Sequence, residues 1–90
     1  MDIKEIRAEI DQVDDALTQL FVKRMQLAAE VAAYKREHAA AVTDGSREQK
    51  ILDRVCAASG EALAPYTERL YQTLFALSKD YQRALLERDE

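Results

Sequence analysis

The chain has 90 residues, of which 48% are hydrophobic and 33% are charged, with only two glycines and one proline. This length predicts a single domain over residues 1–90, and the scarcity of helix-breaking residues predicts an all-α fold. The net charge of −4 argues against nucleic acid and against an anionic membrane surface as general partners. Any site for an anion must therefore be local.

The sequence shows no pattern typical of a targeting segment, a membrane span or a metal site. No apolar run approaches 18 residues and the N-terminus is charged from its first turn, so we expect a cytoplasmic protein. The single cysteine, Cys56, lies among apolar residues and is expected to be a buried thiol. His38 and Cys56 do not make a metal-ligand cluster, and no pair of nucleophile and base indicates covalent catalysis.

Residues 1–40 are predicted to form one uninterrupted helix, because apolar residues recur there at spacings of three and four. These residues form one stripe, called here the α1 stripe: Ile3, Ile6, Ile10, Val13, Leu17, Leu20, Leu27, Val31 and Tyr34. A helix of about 38 residues would be about 57 Å long, which exceeds the diameter of a compact domain of this size. The remaining residues cannot cover such a stripe, so we expect a second copy of the chain to cover it in an obligate homodimer.

One cation, Arg24, stands in the α1 stripe where the spacing demands an apolar residue. Lys35 follows eleven residues later, which is roughly three full turns, so the two cations lie on the same face about 16 Å apart along the axis. Arg24 has simpler explanations, since it can reach solvent at the bundle edge or pair with a carboxylate such as Glu30 or Asp53. Lys35 by itself is equally explained as a solvent-facing residue near a helix C-terminus.

A second helix is predicted from about residue 46 to residue 58. Ser46 and Gln49 fit a capping box that would begin it, and Ser59 with Gly60 would end it.

A third helix is predicted over residues 65–87, with Pro65 in its first turn. Ser78 and Gln82 interrupt its buried side at positions i and i+4, and hydrogen bonding across the bundle would explain them. The apolar side chains of this helix form a second stripe, called here the α3 stripe: Tyr66, Leu70, Leu74, Leu77, Tyr81 and Leu85.

Eight polar residues spaced over these helices resemble the pattern of the all-helical chorismate mutases, in particular the monofunctional bacterial type. The eight are Arg7, Arg24, Lys35, Asp44, Arg47, Glu48, Ser78 and Gln82. They lie in or beside the segments IRAEIDQVDDAL, VKRMQLAAEVAAYK, DGSREQKIL and ERLYQTLFALSKDYQ, so the resemblance covers nearly the whole chain. It implies three helices per chain with a long N-terminal helix, an intertwined homodimeric helical bundle, and two equivalent sites per dimer.

The resemblance implies that the chain rearranges chorismate to prephenate, at the branch point toward phenylalanine and tyrosine, with no cofactor and no metal. The implied substrate-binding residues are the same eight, with Arg7 supplied by the partner subunit. Lys35, Gln82, Arg24 and Glu48 are the implied catalytic residues. Arg24 and the partner's Arg7 would hold the two substrate carboxylates.

The other residues of the pattern have roles that are likewise implied by the resemblance. Lys35 and Gln82 would donate to the ether oxygen as its bond breaks. Glu48 would accept from the ring hydroxyl, Arg47 would add positive potential, Ser78 would donate to a carboxylate, and Asp44 would order the loop before the second helix.

Two other functions stay open at the level of the sequence. An isochorismate pyruvate lyase has the same fold and several of the same cations, although the presence of Glu48 and Ser78 favours the mutase. A non-catalytic helical dimerisation module would use the apolar stripes alone, and it predicts that replacing Arg24 or Lys35 by alanine is neutral or stabilising.

Overall fold

The computed structural model describes residues 1–88, which form three α-helices and no strand. These are α1 (Ile3–His38), α2 (Gly45–Ser59) and α3 (Ala64–Arg88). The predicted all-α fold is confirmed, and each helix boundary lies within two residues of its predicted position. No helix within residues 1–88 is long and apolar enough to cross a bilayer; the cytoplasmic location stays a prediction.

Both ends of α1 satisfy backbone groups that a helix leaves unpaired. At the start, the side chain of Asp2 accepts a hydrogen bond of 2.9 Å from the Glu5 backbone N–H. At the end, Ala39 takes the left-handed conformation with φ 52°, and the Ala40 N–H donates to the Lys35 carbonyl at 2.9 Å. This turn stops the helix although no glycine is present there.

The capping box predicted at Ser46 is wrong. The N-cap of α2 is Asp44, whose Oδ1 accepts from the Arg47 backbone N–H at 3.1 Å. Aspartate caps a helix as well as serine does, so the sequence offered two competing caps two residues apart. The Gln49 side chain donates instead to Asp53 at 2.9 Å, one turn further along α2.

The connection between α2 and α3 is short and internally bonded. The end of α2 at Gly60 is confirmed, with φ 88° at that glycine. The Thr67 hydroxyl donates to Ser59 Oγ at 2.8 Å, and the Cys56 thiol donates to the Ala64 carbonyl at 3.6 Å. Cys56 is half-buried, not fully buried as predicted, because it lies at the edge of this turn.

Helix α3 packs against both α1 and α2, whereas no Cα of α1 lies within 8 Å of a Cα of α2. The buried apolar residues at these contacts are Ala28, Ala32, Ile51 and Phe75. The two alanines belong to α1, and they are its only buried residues. All of residues 1–23 are exposed, so the chain covers only the C-terminal half of its longest helix.

The molecule is consequently elongated. Its extents are 54 × 26 × 14 Å and its radius of gyration is 16.3 Å, against about 12 Å for a compact domain of this length. The nine residues of the α1 stripe are 40–65% exposed in the single chain. The α3 stripe is also largely exposed, because α3 turns Phe75 and Gln82 toward α1 and α2 instead.

Enlarging Ala32 tests how closely the buried face of α1 packs against α3. Ala32 is 0% exposed, so Ala32→Leu is expected to destabilise the protein by about 1–3 kcal/mol through overpacking. The neighbouring Ala33 is exposed, and Ala33→Leu serves as the matched control, with an expected change within about 0.5 kcal/mol. Urea unfolding of both variants at one fixed protein concentration measures the difference. Equal midpoints would contradict the packing described.

Candidate active site

An open cavity of about 380 Å³ lies among the three helices. Seven of the eight polar residues predicted from the sequence line it, although they come from three separate segments of the chain: Arg24, Lys35, Asp44, Arg47, Glu48, Ser78 and Gln82. Its apolar lining includes Ala28, Val31, Ile51 and Phe75. The eighth predicted residue, Arg7, does not line the cavity of its own chain.

Arg24 is held against two aromatic rings of α3. Its guanidinium carbon lies 6.0 Å from the centroid of Tyr71 and 5.8 Å from that of Phe75, within range of cation–π attraction. In the part of the chain that the structure describes, Arg24 forms no ion pair with Glu30 or Asp53, so the carboxylate partners considered for it are not used. Within residues 1–88 the guanidinium of Arg24 forms no hydrogen bond, so its planar set of N–H donors is available to a ligand.

Lys35 ties α1 to the loop that precedes α2. Its ammonium donates a hydrogen bond of 2.7 Å to the Val42 carbonyl. An ammonium carries three N–H donors, so this bond leaves two for a molecule in the cavity. Lys35 therefore both positions the loop and presents positive charge.

The N-terminal turn of α2 forms another wall. Asp44 caps this helix, and Arg47 and Glu48 follow in its first turn. The amide groups of a helix N-terminus carry partial positive charge, which favours anions nearby. Glu48 is a carboxylate in this setting, and its Oε2 lies 3.2 Å from the Lys79 ammonium of α3.

Ser78 and Gln82 meet on one face of α3. Gln82 Nε2 donates to Ser78 Oγ at 3.0 Å, so the predicted hydrogen bonding of this pair is within one helix and not across the bundle. Gln82 is only 5% exposed and its Oε1 has no hydrogen-bond partner among the described residues. An unpaired buried acceptor costs about 1–3 kcal/mol. Turning the amide over would let Oε1 accept from the Ser78 hydroxyl and would free Nε2 to donate elsewhere.

The charge of the cavity is opposite to that of the chain. Five basic side chains line it, Arg24, Lys35, Arg47, Arg54 and Lys79, against two acidic ones, Asp44 and Glu48. This excess of three positive charges, in a protein of net charge −4, suits a small molecule with two negative charges. No group of three or more potential metal-ligating side chains occurs within residues 1–88.

Comparison with known proteins identifies the family. Residues 6–83 match chorismate mutase type II, which is most of the chain and includes every residue of the cavity. This chain belongs to the chorismate mutase type II family. The resemblance drawn from eight spaced polar residues is thereby confirmed.

Two curated relatives of this chorismate mutase type II chain are similar over shorter segments. It is 36% identical over 53 residues to a chorismate mutase from Methanocaldococcus jannaschii, covering 59% of this chain and 54% of that protein. It is 38% identical over 50 residues to T-protein from Haemophilus influenzae, covering 56% of this chain and 13% of that protein. The chain therefore spans about half of the first relative and a small part of the second. No solved structure matches it significantly.

Two basic residues of the cavity in this family member were missed by the sequence analysis. Arg54 lies seven residues after Arg47, which is about two helical turns, so its place on the same face of α2 was open to prediction. Lys79 follows Ser78 directly and no spacing rule singles it out. Its place in the site depends on the angle at which α3 crosses α2.

Proposed function

We propose that this chain catalyses the rearrangement of chorismate to prephenate, the branch point toward phenylalanine and tyrosine. The observation that supports it most is the convergence of seven polar residues of the family pattern on one positively charged cavity. The reaction is intramolecular, because one C–O bond breaks and one C–C bond forms while all atoms stay in the molecule. Such a step requires neither a nucleophile nor a proton donor from the protein, so positioning and charge must supply the rate enhancement.

Positioning comes from cations that hold the two carboxylates of the substrate. Arg24 has its guanidinium fixed by two aromatic rings, so little side-chain freedom is lost when it binds one carboxylate in a bidentate manner. Arg7 of the partner subunit would hold the other carboxylate, and Arg47 adds positive potential. Holding both ends of a flexible ether in a compact conformation can lower the barrier by up to several kcal/mol.

The transition state is distinguished from the substrate by negative charge on the ether oxygen. Lys35 has two unused donors, and Gln82 has an amide that can turn to donate. Donors placed at this oxygen bind the transition state more strongly than the substrate, which is the condition for raising kcat. Glu48 accepts from the ring hydroxyl, Ser78 donates to a carboxylate, and Asp44 keeps the α2 turn in place by its cap.

We also propose that the active molecule is a homodimer in which a second copy covers the α1 stripe. Residues 1–23 are exposed in the single chain, and they include six of the nine stripe residues. Arg7 lies 17 residues from Arg24, roughly 25 Å along the helix, so it cannot reach the cavity of its own chain. Antiparallel pairing of two such helices would bring Arg7 of each to the site of the other.

Mixing two inactive variants tests whether Arg7 acts across the dimer. Arg7→Ala and Lys35→Ala chains are unfolded together in equal amounts and refolded, and prephenate formation is measured. About a quarter of wild-type activity is expected, because half of the dimers are mixed and each mixed dimer holds one intact site.

The matched control pairs Arg24→Ala with Lys35→Ala. Both of these residues belong to the site of their own chain, so every site in a mixed dimer has one of them missing and no activity returns. If the Arg7→Ala mixture also stays inactive while sedimentation shows a dimer, Arg7 does not complete the neighbouring site. A monomer at the assay concentration would contradict the dimer itself.

The proposed activity is tested by following the ultraviolet absorbance of chorismate with purified protein. We expect the absorbance to fall and the product to be prephenate. Product analysis separates the alternatives, since salicylate and pyruvate from isochorismate, without prephenate from chorismate, would assign the chain to the lyases. No turnover of either substrate by a folded dimer would favour a non-catalytic module.

A further inference from the structure

Lys79 makes an ion pair that joins α2 to α3 at the wall of the cavity. Its Nζ lies 3.2 Å from Glu48 Oε2, and the two side chains are 22% and 26% exposed. Both residues line the cavity. The pair engages one oxygen of Glu48 and leaves Oε1 available to another donor.

A carboxylate beside a dianionic substrate presents an electrostatic problem. Two like charges in contact repel each other, and they do so more strongly near a protein surface than in bulk water. Arg24, Lys35 and Arg47 are needed by the substrate carboxylates and the ether oxygen, so they do not offset Glu48. Arg54 also lines the cavity, but within residues 1–88 Lys79 is the cation that forms an ion pair with Glu48.

We infer that Lys79 is a positioning residue, which holds Glu48 by one oxygen so that the other accepts from the ring hydroxyl of the substrate. This inference rests on the proposed function. The ion pair fixes the orientation of the carboxylate and offsets its charge, and Lys79 acts on the reaction only through Glu48. A purely structural ion pair would instead join α2 to α3 without affecting turnover, and partly exposed pairs of that kind contribute little to stability.

The test compares Lys79→Met, which keeps the length of the side chain and removes its charge, with Lys79→Arg, which keeps the charge. With chorismate as substrate, we expect Lys79→Met to lower kcat/KM roughly ten-fold and Lys79→Arg to recover most of that loss. Lys50 of α2 is exposed and outside the cavity, so Lys50→Met is the matched control and should leave kcat/KM unchanged. The urea unfolding midpoint of every variant is measured in parallel.

A double-mutant cycle then separates positioning from direct contact. Because Lys79 acts through Glu48, adding Lys79→Met to Glu48→Gln should change kcat/KM less than about two-fold. A ten-fold loss that persists in the Glu48→Gln background would mean that Lys79 binds the substrate itself, which overturns the inference. Unchanged kcat/KM in Lys79→Met, beside an active wild type, would overturn it as well and leave the proposed function standing. A wild type that does not turn over chorismate would overturn both.

Discussion

Lys35→Ala is expected to lower kcat by about 10²–10³-fold with a smaller change in KM. In the proposed mechanism the ammonium of Lys35 donates to the ether oxygen, where negative charge grows as the C–O bond breaks. Removing a donor of this kind takes away an interaction that is stronger in the transition state than in the bound substrate. Steady-state kinetics with chorismate measures the two constants separately.

A second role of Lys35 has to be separated from this effect. Its bond to the Val42 carbonyl holds the loop before α2, so part of any loss could come from a displaced loop. Val42→Gly keeps Lys35 and loosens the backbone of this loop, so it reports the effect of loop position alone, and it is expected to lower kcat much less than Lys35→Ala does. An effect of Lys35→Ala on KM alone would contradict its role at the ether oxygen. A Lys35→Ala variant with unchanged or raised stability and with wild-type turnover would remove Lys35 from the site.

Gln82→Glu is expected to make turnover depend on acid, with activity rising as the pH falls. The wild-type amide donates at any ordinary pH, whereas a glutamic acid donates only when it is protonated. Once ionised, the carboxylate would repel both the substrate and the charge that develops on the ether oxygen, so at neutral pH we expect a loss in kcat of about 10²-fold or more. The pH profile of kcat for the variant, set against that of the wild type, measures this dependence.

The surroundings of residue 82 contain features that favour and features that disfavour ionisation of the carboxyl group in Gln82→Glu. Its burial disfavours the charged form, while Arg24, Lys35 and Lys79 of the same cavity favour it. The exposed Gln72 of the same helix supplies the control, since Gln72→Glu should retain the wild-type profile. A pH-independent Gln82→Glu enzyme with normal turnover would remove Gln82 from the ether oxygen.

Periodicity alone was enough to predict most of the fold. The length of α1 followed from an unbroken apolar spacing, and the common face of Arg24 and Lys35 followed from their separation of eleven residues. Capping preferences did not decide which residue begins α2, because Asp44 and Ser46 are both good N-caps. The choice between them depends on where the loop that Lys35 binds enters the helix. Periodicity also shows that an apolar stripe exists on α3, but it does not show whether the chain itself covers that stripe.

The sequence by itself determined the helices and the spacing of polar residues that marks the family, because both depend on neighbours along one helix. Only the tertiary structure decided that Lys79 meets Glu48, that Arg24 lies over Tyr71 and Phe75, and that Gln82 is buried with an unpaired oxygen. These contacts depend on how α3 crosses α1 and α2, and that geometry is the result of packing between side chains distant in sequence. It is also the packing of α3 on half of α1 that leaves the α1 stripe uncovered and Arg7 far from the cavity of its own chain.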